Sequence, residues 1–64
     1  MFEEYDVVTS LETINTNVPV DTKGVILMIL DKYNNVYEVE FVNNNNITLD
    51  VIEVNGEQLK KYSL

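Results

Sequence analysis

The chain lacks cysteine, histidine, tryptophan and arginine, and it has only two glycines and one proline in 64 residues. Without cysteine it can form no disulfide and offers no thiolate nucleophile. Without cysteine or histidine, the commonest zinc ligands and the usual bases that activate a nucleophile are missing. Two widely separated glycines cannot build a glycine-rich phosphate-binding loop. These absences predict a protein that is not an enzyme and that holds no metal and no cofactor.

Long apolar runs are also missing, since none reaches the roughly 20 residues of a membrane span. The chain starts with the acidic stretch MFEEYD, whereas a secretory signal starts with basic residues and continues into an apolar segment. We therefore expect a soluble, cytoplasmic protein with a single domain over residues 1–64. Such a short chain has a marginal core, so dense packing or oligomerisation must stabilise it.

Positive charge is scarce. Eleven carboxylates face four lysines, and the net charge is −7. This balance opposes binding to nucleic acid or to an acidic membrane, because both surfaces carry negative charge. It favours a basic protein as the partner. The alternative is that the acidity only keeps a small domain soluble.

The segments between the turn signals are rich in Val, Ile, Tyr and Phe, which is typical of β-strands. The turn signals are the segment 18–24 with its proline and final glycine, the pair Asn34-Asn35, the asparagine run 43–46, and Asn55-Gly56. We predict strands near residues 5–11, 25–31, 36–42, 47–54 and 61–63, with one helical turn at 57–59. This pattern predicts an all-β fold, a small five-stranded antiparallel barrel with one short helical turn before the last strand.

The stretch GVILMIL, residues 24–30, is apolar at every position after its glycine, so its own pattern does not say which face is buried. A two-residue hairpin turn centred on Asn34-Asn35 would decide the matter, because cross-strand partners share a face. The predicted core face is then Ile26, Met28, Leu30, Tyr37, Val39 and Phe41. The predicted outer face is Val25, Leu27, Ile29, Asp31, Glu38, Glu40 and Val42, with Asp31 opposite Glu38.

The fourth predicted strand changes its apolar phase near Val51 and Ile52, which indicates a β-bulge. With a bulge there, Asp50 and Glu53 both point outward and join Glu38 and Glu40 in an acidic band. Leu27 and Ile29 lie beside this band. The apolar strip could bind a partner, pair with a second copy, or be covered by the loop over residues 12–23.

Two other interpretations are weaker on chemical grounds. Carboxylates such as Glu38 and Glu40 on one strand face are more often solvated charges than an acid–base pair. The asparagine run 43–46 lacks the oxygen spacing of a calcium loop. Among the four tyrosines, Tyr33 at the hairpin tip is the best candidate for an exposed anchor; without a basic groove, stacking of the tyrosines on bases is not expected.

Several short motifs carry a family resemblance. They are Tyr5-Asp6-Val7-Val8 with Leu11, Gly24 followed by Ile26 and Leu27, the stretch YEVEF at residues 37–41, and Gln58-Leu59. In this order they resemble a family of small bacterial domains known as domain-of-unknown-function family 4926. The resemblance implies an SH3-like or KOW-like barrel and no enzymatic activity. Small acidic domains of this kind are similar to immunity proteins and antitoxins, which block a toxin by binding to it.

Charge and resemblance together predict a non-enzymatic inhibitor that occludes a basic, nucleic-acid-cleaving toxin. The predicted contact residues are Asp31, Glu38, Glu40, Asp50 and Glu53, with Leu27, Ile29 and Tyr33 as apolar anchors. The alternative is a structural or assembly module that forms a homodimer, or docks in a larger complex, through the strip Val25, Leu27 and Ile29.

Overall fold

The computed structural model describes residues 1–63, and they form five β-strands and one 3-10 turn. The elements in chain order are β1 (Val7–Ser10), β2 (Lys23–Asp31), β3 (Val36–Val42), β4 (Thr48–Asn55), the turn η1 (Gly56–Gln58) and β5 (Leu59–Lys61). The all-β prediction and the helical turn before the last strand are both confirmed. No helix in this part of the chain has the length and apolar character to cross a bilayer.

All five strands belong to one antiparallel sheet with the order β4-β3-β2-β1-β5. Strand β1 therefore pairs with both β2 and β5, while β4 and β5 form the two edges. The turn η1 connects these two edge strands, and Asn55 caps it by accepting from the backbone N–H of Glu57. Closure of the sheet into an SH3-like barrel stays a prediction.

One face of the sheet carries the hydrophobic core. The buried cluster comprises Val8, Val18, Ile26, Tyr37, Val39, Phe41, Val54 and Leu59. Phe2 closes one end of it, with its ring edge-on to Tyr37 at a centroid distance of 5.6 Å. The buried Tyr37 hydroxyl donates to Asn35 Oδ1 and accepts from the backbone N–H of Phe2, so burial leaves it fully hydrogen-bonded.

The β2–β3 hairpin differs from the predicted one because its turn spans four residues, 32–35, instead of two. Asp31 closes this longer turn by accepting from both the backbone N–H and the side-chain amide of Asn34. Asp31 therefore pairs with Val36, and the predicted pair Asp31–Glu38 is wrong. Two register shifts follow along β2, between Ile26 and Met28 and between Ile29 and Asp31.

Because of these shifts, one part of β2 keeps the predicted faces of its side chains and the other part has them exchanged. Ile26 pairs with Val39, an even displacement from the predicted register, so it keeps its predicted place in the core. Ile29 pairs with Tyr37, an odd displacement, so its face is exchanged and it packs against the core. Met28 and Leu30, predicted in the core, are instead 49% and 42% exposed.

Strand β4 contains a register irregularity as predicted, but it lies at Leu49, between the pairs Phe41–Asp50 and Val42–Thr48, and not at Val51 and Ile52. Ile52 and Val54 pair with Val39 and Tyr37 on the core face. The last strand also begins and ends two residues earlier than predicted, at Leu59–Lys61 instead of 61–63.

The long β1–β2 connection, residues 11–22, packs on the core face. Val18 is fully buried in the core cluster, and Ile14 packs against it. A side-chain hydrogen bond of 2.9 Å from Asn15 Nδ2 to Asp50 Oδ2 fastens this connection to β4. Ile14 and Val18 of this connection therefore serve the core, which does not support the hypothesis that the loop covers the apolar strip. Residues 19–22 of the same connection border the lysine end of the opposite face.

Candidate functional site

The candidate site is the outer face of the sheet, which we define as the face opposite the core cluster. Cross-strand pairing arranges its side chains in rows. One row is Val7, Val25, Glu40 and Val51. The next row toward the β2–β3 turn is Met28, Glu38 and Glu53. At the other end lies the row Lys60, Thr9, Lys23, Val42 and Thr48.

Three glutamates form the acidic part of this face, which we call the glutamate cluster: Glu38, Glu40 and Glu53. Glu38 and Glu53 are direct cross-strand partners, and Glu40 lies two positions along β3 from Glu38. The ion pair found in residues 1–63 is Lys61 with Asp6, at 3.5 Å. No lysine of this described part of the chain therefore lies within salt-bridge distance of the cluster. Glu40 instead accepts a hydrogen bond from the Thr48 hydroxyl.

The two predicted aspartates do not belong to the glutamate cluster. Asp50 pairs with the buried Phe41, so it shares the core face, where Asn15 holds its carboxylate. Its other oxygen accepts from the backbone N–H of Val51. The predicted acidic band is therefore correct for Glu38, Glu40 and Glu53 and wrong for Asp50.

Asp31 lies at the β2–β3 turn, where its carboxylate accepts from Asn34. The side-chain hydrogen bond and then the backbone hydrogen bond from Asn34 lower the pKa of Asp31 below its ordinary value of 3.8, because they favour the charged form. Asp6 behaves similarly. A hydrogen bond from the backbone N–H of Glu3 is the main cause that lowers its pKa, and Lys61 adds to it. Both carboxylates thus have local structural partners.

The three predicted apolar anchors occupy different places. Tyr33 is fully exposed at the hairpin tip, as predicted. Leu27 is half-buried and is the residue left without a direct partner at the first register shift of β2. Ile29 packs against the core, so the predicted outward position of Ile29 is wrong.

Sequence reasoning missed the exposed apolar residues that take the place of Ile29. On the outer face, Val7, Met28 and Val51 are 37%, 49% and 47% exposed. The pattern of GVILMIL could not reveal Met28, because every position in it is apolar. Val51 had a visible signal, since it lies between two acidic residues one position away from Asp50 and two from Glu53.

The outer face is electrically divided. The glutamate cluster lies on β3 and β4, while Lys23 and Lys60 lie at the far end on β2 and β5, on either side of Thr9. The row that holds Glu40 and its apolar neighbours Val7, Val25 and Val51 lies between the row of Glu38 and Glu53 and the row of the lysines. A surface with this composition can bind another molecule through apolar contact and charge, and its carboxylates can accept bidentate hydrogen bonds from arginine.

Comparison with known proteins adds the family. A family model described as "Domain of unknown function (DUF4926)" matches residues 4–61, which include every strand and the outer face. No curated protein and no solved structure matches the chain significantly. Because the match covers more than half of the sequence, the resemblance seen in the short motifs is confirmed, and the chain belongs to the DUF4926 family of domains of unknown function.

Proposed function

We propose that this protein is a non-enzymatic inhibitor of the immunity or antitoxin type, which binds and occludes a basic, nucleic-acid-cleaving toxin in the cytoplasm. The observation that carries the proposal is the glutamate cluster, Glu38, Glu40 and Glu53. These side chains point away from the core, have no lysine partner in residues 1–63, and adjoin exposed apolar side chains.

The cluster suits this role because of its spacing. Neighbouring strands lie about 4.8 Å apart, and residues two apart on one strand lie about 7 Å apart. The backbones of Glu38, Glu40 and Glu53 therefore lie within about 7 Å of a neighbour in the cluster, so three carboxylates can face a row of cationic side chains. Lysine and arginine side chains that hold a nucleic acid backbone could bind these carboxylates instead.

The apolar neighbours supply the rest of the proposed interface. Charge pairs at an interface mainly raise the association rate and specificity, whereas affinity depends on well-packed residues at the centre. Val25, Met28 and Val51 adjoin the glutamates in two of the three rows of the outer face. Tyr33 and Leu27 stay predicted contact residues. Asp31 lies at the β2–β3 turn, so it would reach the partner only from the tip of this hairpin.

The test compares two double variants that change the net charge equally. Glu38→Lys with Glu40→Lys reverses the cluster, while Glu4→Lys with Glu57→Lys reverses two exposed carboxylates outside it. Tagged wild type and both variants are used to capture proteins from the host, and the captured basic protein is then purified and titrated calorimetrically against each of them.

The expected result is a stoichiometric basic partner with nuclease activity that the wild type suppresses. Reversal at Glu38 and Glu40 should weaken its binding by roughly 2–5 kcal/mol, the usual cost of breaking close interfacial charge pairs. The control variant should bind within a few-fold of the wild type. Equal affinity of the two double variants would overturn the role of the cluster, and a captured partner without toxicity would overturn the inhibitor function.

A further inference from the structure

A concave feature lies at the lysine end of the outer face, next to the row that holds Glu40. It is a cleft of about 450 Å³. Its floor is formed by Thr9, Lys23 and Val42, which are consecutive cross-strand partners. Residues 19–22 form one wall, and Asn43, Asn44 and Leu49 form the opposite wall. The Tyr62 ring closes the side next to β5.

The first wall is held by buried polar groups. Ser10 and Thr22 are the two buried polar residues within residues 1–63. The Ser10 hydroxyl donates to Pro19 O and accepts from the Thr22 N–H, both at 2.9 Å. The Thr22 hydroxyl also donates to Pro19 O, at 2.6 Å. Burying polar groups costs free energy unless each is bonded, so these bonds define one geometry for the wall.

The second wall is similarly ordered. Asn43 Oδ1 accepts from the backbone N–H groups of Asn45 and Ile47, at 2.8 and 3.0 Å. The Asn43 backbone closes the same turn, because its N–H donates to Ile47 O and its carbonyl accepts from the Asn46 N–H. The cleft is therefore flanked by two loops that already have a defined shape. A site formed before binding loses less conformational entropy when a ligand enters.

Charge and aromatic groups give the cleft a chemical preference. The Lys23 ammonium lies over the Tyr62 ring, 5.4 Å from its centre, which is within the range of a cation–π contact. It has no carboxylate within 4.0 Å among the described residues. Asp21, held with a positive φ of 68°, places one carboxylate on the same rim. Pro19, Val20, Val42 and Leu49 supply apolar surface.

We propose that this cleft binds a monoanionic carboxylate on an apolar or aromatic stem. Lys23 pairs with the carboxylate, and the Thr9 hydroxyl and the Asn44 amide are the neighbouring hydrogen-bond donors. The stem lies against Val20, Val42 and the Tyr62 ring. A dianion such as phosphate is disfavoured, because Asp21 and the net charge of −7 repel the second negative charge.

This site is independent of the inhibitor function proposed above, because it uses none of the three glutamates. Two sources can supply the same chemistry, namely a free small acid and the C-terminus of a peptide chain. The probes are 3-phenylpropionate, its uncharged amide, a tripeptide that ends in a free phenylalanine carboxylate, and inorganic phosphate. Each is titrated into ¹⁵N-labelled protein, and the backbone amide shifts are followed by NMR.

The expected result is saturable shifts at Thr9, Lys23, Val42 and Asn44 with the carboxylates, and none with the amide or phosphate. Lys23→Gln should weaken binding about tenfold, as the loss of one charge-assisted contact does. Lys32→Gln, which removes an exposed lysine at the hairpin turn, should leave the affinity unchanged.

The outcomes separate the two sources and test the site itself. Saturation by the small acid alone assigns the cleft to a free ligand, and saturation by the tripeptide alone assigns it to a chain terminus. Equal shifts with 3-phenylpropionate and its amide would overturn the proposal, even if Lys23→Gln did not fold. Equal affinity of wild type and Lys23→Gln would overturn it as well.

Discussion

Gly24 shows how a single residue sets the position of a strand. A Cβ at this position would lie 2.7 Å from Val39 Cγ1 and 2.9 Å from Phe41 Cδ1, closer than carbon atoms can approach. The sequence suggested a loop glycine chosen for backbone freedom, yet Gly24 lies inside β2 and its φ is not positive. The left-handed positions belong to Tyr5, Asp21, Asn35 and Asn46. Glycine is needed at position 24 for space, which no turn pattern reveals.

Asp31 and Asn34 allow a pH test at the residue scale. Hydrogen bonds from Asn34 hold the pKa of Asp31 below its ordinary value of 3.8. The bond therefore stabilises the fold at pH values above the ordinary pKa, and its contribution is lost as the pH falls through the lowered pKa. We expect Asn34→Ala to raise the Asp31 pKa toward 3.8.

The measurement is a ¹³C NMR titration of the aspartate carboxyl groups in wild type and Asn34→Ala. Asp6 is the internal control, because its pKa is lowered by Glu3 and Lys61 and not by Asn34. An Asp31 titration midpoint that does not move in Asn34→Ala would show that the Asn34 side chain does not lower the pKa of Asp31.

At the scale of elements, the β3–β4 pairing contains a conflict. Glu38 and Glu53 are direct cross-strand partners on the outer face, and like charges in this arrangement destabilise a sheet. Replacing Glu53 by lysine would turn the repulsion into an attraction. We expect Glu53→Lys to raise the free energy of unfolding by about 0.5–1 kcal/mol at low salt, measured by urea denaturation.

The control is Glu4→Lys, which changes the net charge equally at an exposed position outside the strands. It accounts for the general relief of repulsion in a chain with a net charge of −7. The gain from Glu53→Lys should exceed that of the control, and the difference should shrink in high salt. A smaller gain than the control would mean that the two glutamates do not repel each other across the strands.

The elements themselves were largely predictable, and the register was not. Strand composition and asparagine turns located all five strands, and every strand end lies within two residues of its predicted position. The number of residues in the β2–β3 turn depends on the Asp31–Asn34 hydrogen bonds, which sequence spacing does not show. The faces of Met28 and Ile29 were exchanged by the register shift between Ile29 and Asp31, because the longer turn alone displaces the pairing by an even number of residues. In a run where every side chain is apolar, no pattern can correct such an error.

At the scale of the molecule, the exposed apolar side chains of the outer face raise the question of a second copy. Val7, Met28 and Val51 are the exposed apolar side chains there. The glutamate cluster and the net charge of −7 oppose the stacking of two such faces. We therefore expect the isolated chain to be monomeric at micromolar concentration and physiological salt, as measured by sedimentation equilibrium.

Met28→Lys decides whether any observed dimer uses this face. Ile29→Lys, the change that the sequence pattern suggests, is unsuitable because Ile29 packs against the core and its replacement would destabilise the fold. A wild type at twice the monomer mass and a monomeric Met28→Lys would favour the assembly module over the inhibitor.

The candidate site was partly predictable for the same reasons. Three of the five acidic residues share the outer face, because in β3 and in the second half of β4 the alternation of inward and outward side chains is the predicted one. Asp50 lies at the irregularity of β4, where the phase changes, and Asp31 lies where the turn begins. The cleft beside Lys23 could not be predicted, because its walls come from two loops far apart in the sequence.

The position of Asp50 has a consequence for the protein's behaviour in a crowded cell. Strand β4 is an edge of the sheet, and unpaired edges can template the addition of strands from other molecules. One carboxylate oxygen of Asp50 accepts a hydrogen bond from the Val51 N–H. The other accepts from the Asn15 side chain and so holds the β1–β2 connection against β4. A strand approaching this edge would have to displace both contacts and come close to a negative charge. Asp50 therefore makes this edge of the sheet less available for the addition of a strand.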